Sequence, residues 1–214
     1  MKPVLYGYFR SGTTYRVRAA LNYKGVDYDY EPVDLAGGAQ SGEAYKRLNP
    51  QGLVPALKVD GGVLTQSPAI LEWMEETWPE PALLPHEPIL RARTRAFCAA
   101  IGCDIHPIQN LRILKAVKAM KDSDPDAGTE WARHWITVGF EALEEMAEPD
   151  AGAGGFLFGT GPSLAEVYLM PQMFNAERFG VDLERFPKLV AANAAAQSVP
   201  EFAAAHPSRQ PDAR

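Results

Sequence analysis

Four prolines within ten residues, from Pro79 to Pro88, divide this chain into two parts of different character. Proline lacks the amide hydrogen that an interior helix position or a central strand needs, so a run this dense excludes regular secondary structure. The amino-terminal side mixes strand-like and helix-like patterns, whereas the carboxyl-terminal side is helical in its spacing. We therefore expect an α/β domain at residues 1–80, a linker at 81–88 and an all-helical domain at 89–214.

The first domain is predicted to run in the order β-α-β-α-β-β-α. Its strands are predicted at residues 4–8 and 28–33 and on both sides of the turn Asp60-Gly61-Gly62, and its helices at 13–24, 43–48 and from Ser67 onward. The second domain is predicted to have helices at 89–120, 129–147, 163–178 and 186–205. Ser163 and Glu166 fit a capping box, "EPDAGAGG" at 148–155 fits a loop, and "HPSRQPDAR" fits a loosely held tail.

The amino-acid composition limits the classes of function that this chain can have. A chain with 46% hydrophobic and 22% charged residues is typical of a soluble globular protein, and a net charge of -6 argues against non-specific nucleic-acid binding. No apolar run approaches the ~20 residues of a membrane span. We expect Cys98 and Cys103 to be buried free thiols in a reducing cytoplasm, and the four histidines show no metal-ligand spacing, so no metal site is expected.

The junction between the first strand and the first helix carries the most chemical information. It reads Arg10-Ser11-Gly12-Thr13-Thr14, at a place where redox proteins put Cys-x-x-Cys and nucleotide enzymes put a phosphate-binding loop. This chain has hydroxyls and one arginine there instead. On the residues alone, Ser11 could simply cap the helix, a common role for serine.

Several motifs resemble the cytosolic glutathione transferases. "Asn49-Pro50-Gln51-Gly52-Leu53-Val54-Pro55" is similar to the family's loop ending in a cis-proline, and "Leu64-Thr65-Gln66-Ser67" to its Gln-Ser motif. Within that family, the stretch from Phe9 to Leu21, "Asp104-Ile105-His106-Pro107", "Ala176-Glu177-Arg178-Phe179" and the ending from His206 resemble the zeta class. The zeta signature begins Ser-Ser-Cys, whereas this chain has Ser11-Gly12-Thr13. The resemblance implies a thioredoxin-like first domain, an all-helical second domain and a homodimer.

The resemblance also implies glutathione as the cofactor. A helix N-terminus with nearby hydroxyls favours a thiolate, so Ser11 or Thr13 is expected to contact the glutathione sulfur, and which of the two does so stays open. The remaining glutathione-binding candidates are residues that the family motifs match: Gln51, Val54, Pro55, Gln66, Ser67, His106 and Asn110. Four of them also have an ordinary structural interpretation: Ser67 as a plain helix cap, Pro55 in a trans turn, and His106 with Asn110 as a hydrogen bond between domains.

Zeta-class enzymes include glutathione-dependent cis–trans isomerases of maleylacetoacetate and maleylpyruvate. The implied reaction adds the thiolate to the double bond, allows rotation and expels glutathione unchanged. Because the substrate is a small dicarboxylic keto acid, arginines suit its carboxylates. Arg10 and Arg178 are the candidates for that role, whereas Arg16 and Arg18 are expected to form surface or interface salt bridges.

Two alternatives remain open at this point. A general glutathione transferase that conjugates or dehalogenates small electrophiles, such as α-halo acids, would use the same thiolate and arginines. A non-catalytic binding module would keep the fold without the chemistry, but the intact run of Ser11, Val54-Pro55 and Gln66-Ser67 argues against it.

Overall fold

The computed structural model describes residues 1–122, 124–147 and 155–213. The chain forms two compact units. The first contains residues 1–82 and the C-terminal segment from Val199 onward, and the second contains Leu83–Ser198. The expected helical domain at 89–214 is therefore too long at its C-terminal end, because its last residues pack with the α/β unit.

The first unit is built on a four-stranded mixed sheet, which confirms the expected thioredoxin-like arrangement. Its strands are β1 (Val4–Gly7), β2 (Asp29–Pro32), β3 (Ala56–Val59) and β4 (Gly62–Thr65). They lie in the order β2-β1-β3-β4, with β1 parallel to β2 and antiparallel to β3, and with β3 antiparallel to β4. The helices of this unit are α1 (Gly12–Tyr23), α2 (Glu43–Lys46), α3 (Ser67–Thr77) and α10 (Pro200–Ala204).

Helix α1 follows β1 closely and packs against α3 and α10. Gly7 permits this approach, because a Cβ at that position would lie 2.2 Å from the Thr14 side chain. The helix is buried on nearly all sides, and Arg16 and Arg18 are 1% and 0% exposed. The expectation that these two arginines lie at the surface is wrong, because the helix that carries them has no solvent-facing side at either position.

The described elements of the second unit are helical. They are α4 (Pro88–Ala99), α5 (His106–Ile108), α6 (Leu111–Met120), α7 (Ala127–Met146), α8 (Leu164–Arg178) and α9 (Pro187–Gln197). A π-helical turn, Ala100–Ile105, joins α4 to α5. Gly139 of α7 lies against Ile105 in that turn, so closely that a Cβ would be 2.4 Å from the isoleucine side chain.

Two of the helices predicted as continuous are interrupted. The helix expected at 89–120 breaks at Asn110, whose backbone is extended and whose side chain accepts the Arg112 N–H to start α6. The helix expected at 186–205 breaks before Pro200, because proline starts a helix well but cannot continue one. The loop predicted at 148–155 lies outside the described residues except for Gly155.

Helix α8 begins with the predicted capping box. The Ser163 hydroxyl accepts the Ala165 N–H, and Glu166 accepts the Ser163 N–H at 2.8 Å. Glu166 also accepts the Leu157 N–H at 2.6 Å, so the same carboxylate holds the segment that precedes the helix. Burial raises the pKa of Glu166 to about 7, although these hydrogen bonds act in the opposite direction.

Two smaller expectations also need correction. Cys98 is buried, Cys103 is exposed and neither is in a disulfide, so the interpretation of two buried thiols is right for Cys98 only. The C-terminal segment is not loosely held: Asp212 accepts the Phe9 N–H at 2.9 Å and the Tyr30 hydroxyl at 3.2 Å. No helix in the described ranges is long and apolar enough to cross a membrane.

Candidate active site

Ser11 is the N-cap of α1 and closes the turn that connects β1 to this helix. Its N–H donates to the Tyr8 carbonyl at 3.0 Å, and its hydroxyl oxygen accepts the Thr14 N–H at 3.2 Å. The structural interpretation of Ser11 as a cap is therefore correct. Capping uses a lone pair of the oxygen and leaves the hydroxyl hydrogen for another acceptor.

Thr13 lies next to Ser11, with 2.9 Å between the two hydroxyl oxygens. The Thr13 hydroxyl donates to the Val54 carbonyl, also at 2.9 Å. A hydroxyl has a single hydrogen, so with Thr13 committed to Val54 the hydrogen between the two side chains must come from Ser11. In this arrangement Ser11 carries the hydrogen that can turn toward a new acceptor, and Thr13 links α1 to the loop before Pro55.

That loop has the geometry the resemblance implies. The Val54–Pro55 peptide bond is cis. The preceding Leu53 carbonyl accepts from the Asn49 side chain at 2.7 Å and from the Tyr45 hydroxyl at 2.8 Å. Burial raises the pKa of Tyr45 to about 12, so this hydroxyl stays a donor over the physiological pH range. The Val54 carbonyl keeps a second lone pair beyond the Thr13 bond, so it can accept a further hydrogen bond.

Gln51 and Gln66 meet at the start of α3, where the Gln66 amide nitrogen lies 2.5 Å from the Gln51 amide oxygen. Gln66 has a positive φ of 69°, and no side chain of a described residue caps α3. Ser67, the first residue of the helix, is buried and accepts a hydrogen bond from Arg16 at 3.4 Å. A helix N-terminus with a guanidinium behind it is a favourable place for a carboxylate.

Arg16 is the residue that the sequence interpretation assigned to the wrong place. A signal was present in the sequence: Tyr15, Val17, Ala19, Ala20 and Leu21 cover too much of the helix circumference for an amphipathic surface helix. An arginine within such a stretch is enclosed, and an enclosed arginine needs acceptors. Its neighbour Arg18 meets that need with the Phe9 and Ala205 carbonyls.

The second unit holds His106, Asn110 and Arg178. His106 begins α5 and Asn110 caps α6, so they do not share one helical face as their four-residue spacing suggested. Between them, Gln109 donates to the Gln172 side chain of α8 at 2.6 Å, with both amides buried. The Gln109–Gln172 bond ties the α5–α6 turn to the helix that ends at Arg178.

Both candidate carboxylate-binding arginines are exposed and lie over an aromatic ring. The Arg10 guanidinium is 5.7 Å from the centre of the Phe9 ring, and that of Arg178 is 4.7 Å from the centre of the Phe179 ring. A ring face orients a guanidinium without using its hydrogen-bond donors. Among the residues that the structure describes, no group of three or more His, Cys, Asp or Glu side chains could hold a metal ion.

Comparison with known proteins gives consistent matches over nearly the whole chain. Residues 10–77 match the family model "Glutathione S-transferase, N-terminal domain". The chain is 47% identical to maleylpyruvate isomerase from a Ralstonia species, over 97% of this chain and 98% of that protein. It is 46% identical to maleylacetoacetate isomerase from Pseudomonas aeruginosa, over 97% of both chains.

Comparison with solved structures points to the same family as these relatives. A holo structure of maleyl pyruvate isomerase, described as a bacterial glutathione transferase of the zeta class, superposes with a TM-score of 0.95 at 46% identity and covers 99% of this chain and 100% of its own. A maleylacetoacetate isomerase from Anaeromyxobacter dehalogenans, with dicarboxyethyl glutathione and citrate in its active site, gives a TM-score of 0.87 at 43% identity and covers 100% of this chain and 98% of its own. A second maleylacetoacetate isomerase, from Methylobacterium extorquens with malonate and glutathione bound, gives a TM-score of 0.93 at 36% identity. The match covers 99% of this chain and 99% of that one. This chain belongs to the zeta class of the glutathione S-transferase family, the class of the maleylpyruvate and maleylacetoacetate isomerases.

Proposed function

We propose that this protein is a glutathione-dependent cis–trans isomerase of a small dicarboxylic keto acid, either maleylpyruvate or maleylacetoacetate. The observation that carries the proposal is the arrangement of Ser11, Thr13 and Val54 at the start of α1, in a chain whose relatives are named for these two activities. When bound, glutathione would supply a thiolate that adds reversibly to the conjugated double bond, so that the bond can rotate before the sulfur leaves.

The chain's own part in that chemistry begins with Ser11. Its hydroxyl hydrogen bridges to Thr13 in the structure described here, and we propose that it turns toward the glutathione sulfur when the cofactor binds. A hydrogen bond to the charged form, together with the partial positive charge of the α1 N-terminus, favours the thiolate over the thiol. Thr13 then has a positioning role, because its hydrogen is held by the Val54 carbonyl.

The first unit carries matching partners for the glutathione peptide. The Val54 backbone before cis-Pro55 offers strand-like pairing to an extended peptide. Ser67, the α3 N-terminus and Arg16 together suit the γ-glutamyl carboxylate, and Gln66 with Gln51 lies beside them. His106 and Asn110 of the second unit stay glutathione-binding candidates that the family motifs match, although the structure places Asn110 at a helix cap and not on the helix of His106.

Arg10 and Arg178 are the proposed partners of the substrate carboxylates. A relative with bound malonate and another with bound citrate support a site that accepts several carboxylates. The dicarboxyethyl glutathione in one of them joins the cofactor to a unit with two carboxyl groups, which resembles the adduct the proposed addition would form. Negative charge that develops on the keto acid during addition would also be stabilised by the guanidinium groups.

The test is a comparison of substrates on one enzyme preparation. We expect rapid loss of the ultraviolet absorption of maleylpyruvate or maleylacetoacetate with catalytic glutathione, and much slower reaction with a chloro-dinitrobenzene or an α-halo acid. Failure to convert either keto acid, together with rapid conjugation or dehalogenation, would support the alternative of a general transferase.

We also propose a cytoplasmic homodimer, for which light scattering should give twice the mass of the 23.4 kDa chain.

A further inference from the structure

The C-terminal segment reaches back to the turn that carries Ser11. Tyr8, Phe9, Arg10 and Ser11 form this turn, which is closed by the hydrogen bond from the Ser11 N–H to the Tyr8 carbonyl. Two successive peptide groups lie within it, one between Tyr8 and Phe9 and one between Phe9 and Arg10. Each of them is held by a charged side chain.

Asp212 holds the first peptide group. Its Oδ2 atom accepts the Phe9 N–H at 2.9 Å and also the Tyr30 hydroxyl at 3.2 Å. The carbonyl of the same peptide group, that of Tyr8, accepts the Ser11 N–H. Because a peptide group is planar, a bond that fixes its N–H also fixes the direction of its carbonyl.

Arg18 holds the second peptide group. Its Nη2 atom donates to the Phe9 carbonyl at 2.9 Å. The same guanidinium donates to the Ala205 carbonyl, at 3.2 Å from Nε and 3.1 Å from Nη2, and so ties the turn to the residue just beyond α10. With both flanking peptide planes held, φ and ψ of Phe9 are fixed, and these two angles set where Arg10 and Ser11 lie.

We propose that Asp212 is a positioning residue for the active-site turn, acting through the Phe9 peptide to hold Ser11 in the orientation that its hydroxyl needs. Arg18 anchors the other side of the same residue and joins it to the C-terminal segment. This inference rests on the proposed function, since it takes Ser11 as the group that contacts the glutathione sulfur. It gives Asp212 a role in positioning Ser11.

The test compares Asp212→Ala with Asp212→Asn and Gln210→Ala in the full chain. Asp212→Ala removes the acceptor for Phe9, whereas the asparagine keeps a neutral oxygen in its place. Gln210→Ala is the matched control, because Gln210 donates at 3.0 and 2.9 Å to the Ala204 and His206 carbonyls and not to the turn. Amide hydrogen exchange at Phe9 and Ser11, ultraviolet titration of the bound glutathione thiolate, and kcat and KM are measured for each.

For Asp212→Ala we expect the amide hydrogen of Phe9 to exchange about tenfold faster and kcat/KM to fall by about tenfold. Both changes are of the size expected for loss of a hydrogen bond to a charged group. The glutathione thiol should also titrate at higher pH. Asp212→Asn should recover most of the loss, to within about threefold of the unchanged protein, and Gln210→Ala should leave all three readouts unaltered.

Faster Phe9 exchange with unaltered thiolate titration and kcat/KM would overturn the proposal. So would an equal loss in Gln210→Ala that follows the melting temperature, since the tail would then act only through general stability. If the unchanged protein binds glutathione but isomerises neither keto acid, the proposed function fails, while the exchange and thiolate measurements still decide the role of Asp212.

Discussion

Ser11 performs two tasks with one hydroxyl group. Its oxygen accepts the Thr14 N–H and so caps α1, while its hydrogen points toward Thr13, whose own hydrogen is donated to Val54. Replacing the bond to Thr13 with one to a sulfur anion requires only rotation about the Ser11 C–O bond. Thr13 would first have to give up the bond that links α1 to the loop before Pro55.

This difference predicts unequal effects of Ser11→Ala and Thr13→Val. We expect Ser11→Ala to move the pH–rate profile of kcat/KM to higher pH and to lower the rate at neutral pH by about 10- to 100-fold, the value of a hydrogen bond to a charged group. Thr13→Val should mainly weaken glutathione binding and should leave the pH–rate profile of kcat/KM at nearly the same pH. A shifted profile for Thr13→Val and an unshifted one for Ser11→Ala would reverse the assignment.

Arg10 and Arg178 are expected to act on the keto acid more than on glutathione. Arg10→Ala and Arg178→Ala should each lower kcat/KM for the diacid by at least about tenfold, as expected for loss of a charged hydrogen-bonding group. Binding to immobilised glutathione should change little. Arg185→Ala serves as the control, because Arg185 pairs with Glu141 on the exposed surface of the second unit. Unaltered kinetics in both arginine variants would refute their assignment to the substrate carboxylates.

At the scale of elements, α8 depends on a buried carboxylate. Glu166 binds the Ser163 and Leu157 amides, and burial raises its pKa from 4.5 to about 7. The folded protein therefore holds this proton more tightly than the unfolded chain does. As a result, the contribution of Glu166 to stability falls as pH rises from 4.5 toward 7 and is constant above that value.

Glu166→Gln removes this titration. The free energy of unfolding is measured by urea denaturation for the unchanged protein and for the variant. The first value minus the second should decrease by about 3 kcal/mol between pH 4.5 and 7. Glu145→Gln, at an exposed position of α7, is the control and should stay within about 0.5 kcal/mol throughout. A difference that is flat over this range, or that rises with pH, would contradict the account.

Helix α7 provides a matched pair of glycines. Gly139→Ala would place a Cβ 2.4 Å from Ile105, so it should destabilise the second unit by about 1–3 kcal/mol despite the better helix propensity of alanine. Gly128→Ala meets only ordinary contacts at 3.5 Å, and should be neutral or stabilising by up to about 1 kcal/mol. The urea midpoint of Gly139→Ala should therefore fall, whereas that of Gly128→Ala should stay the same or rise. Equal midpoints would show that the π-helical turn yields to the added methyl group.

Local pattern predicted most of these elements, because hydrophobic spacing and caps are properties of neighbouring residues. The strands, α1 and the capping box of α8 are confirmed on this basis, whereas the cis-proline loop followed from the family resemblance. The break at Asn110 was missed because asparagine can either cap a helix or lie within one, and the four-residue spacing from His106 favoured the second interpretation. Arg16 was misplaced because charge was given more weight than the apolar residues around it.

At the scale of the whole molecule, the largest error concerned the end of the chain. "HPSRQPDAR" is polar and contains prolines, which locally indicate a loose tail. Its partners are the Phe9 peptide and the Tyr30 hydroxyl, which are most of the chain length away, and no local pattern reports contacts of that kind. The same separation explains why the boundary at 199 was not predicted and why Asp212 was absent from the candidate site.

The charge of the whole molecule also bears on function. A net charge of -6 repels an anionic cofactor and a dianionic substrate at long range, so their binding must rely on local cations and helix N-termini. We propose that Arg10, Arg16 and the starts of α1 and α3 supply these within the first unit. Such short-range contacts are what a small ligand needs, and none of them requires a basic surface.

We propose that glutathione takes part in each turnover and is returned unchanged. The most direct measurement follows the keto acid and the free thiol together, with enzyme and a small fraction of an equivalent of glutathione relative to substrate. We predict that all the cis substrate becomes trans product while the total free thiol stays constant, so that each glutathione serves many turnovers. Product that stops at one equivalent of glutathione, with loss of the thiol, would show that glutathione is consumed and not returned.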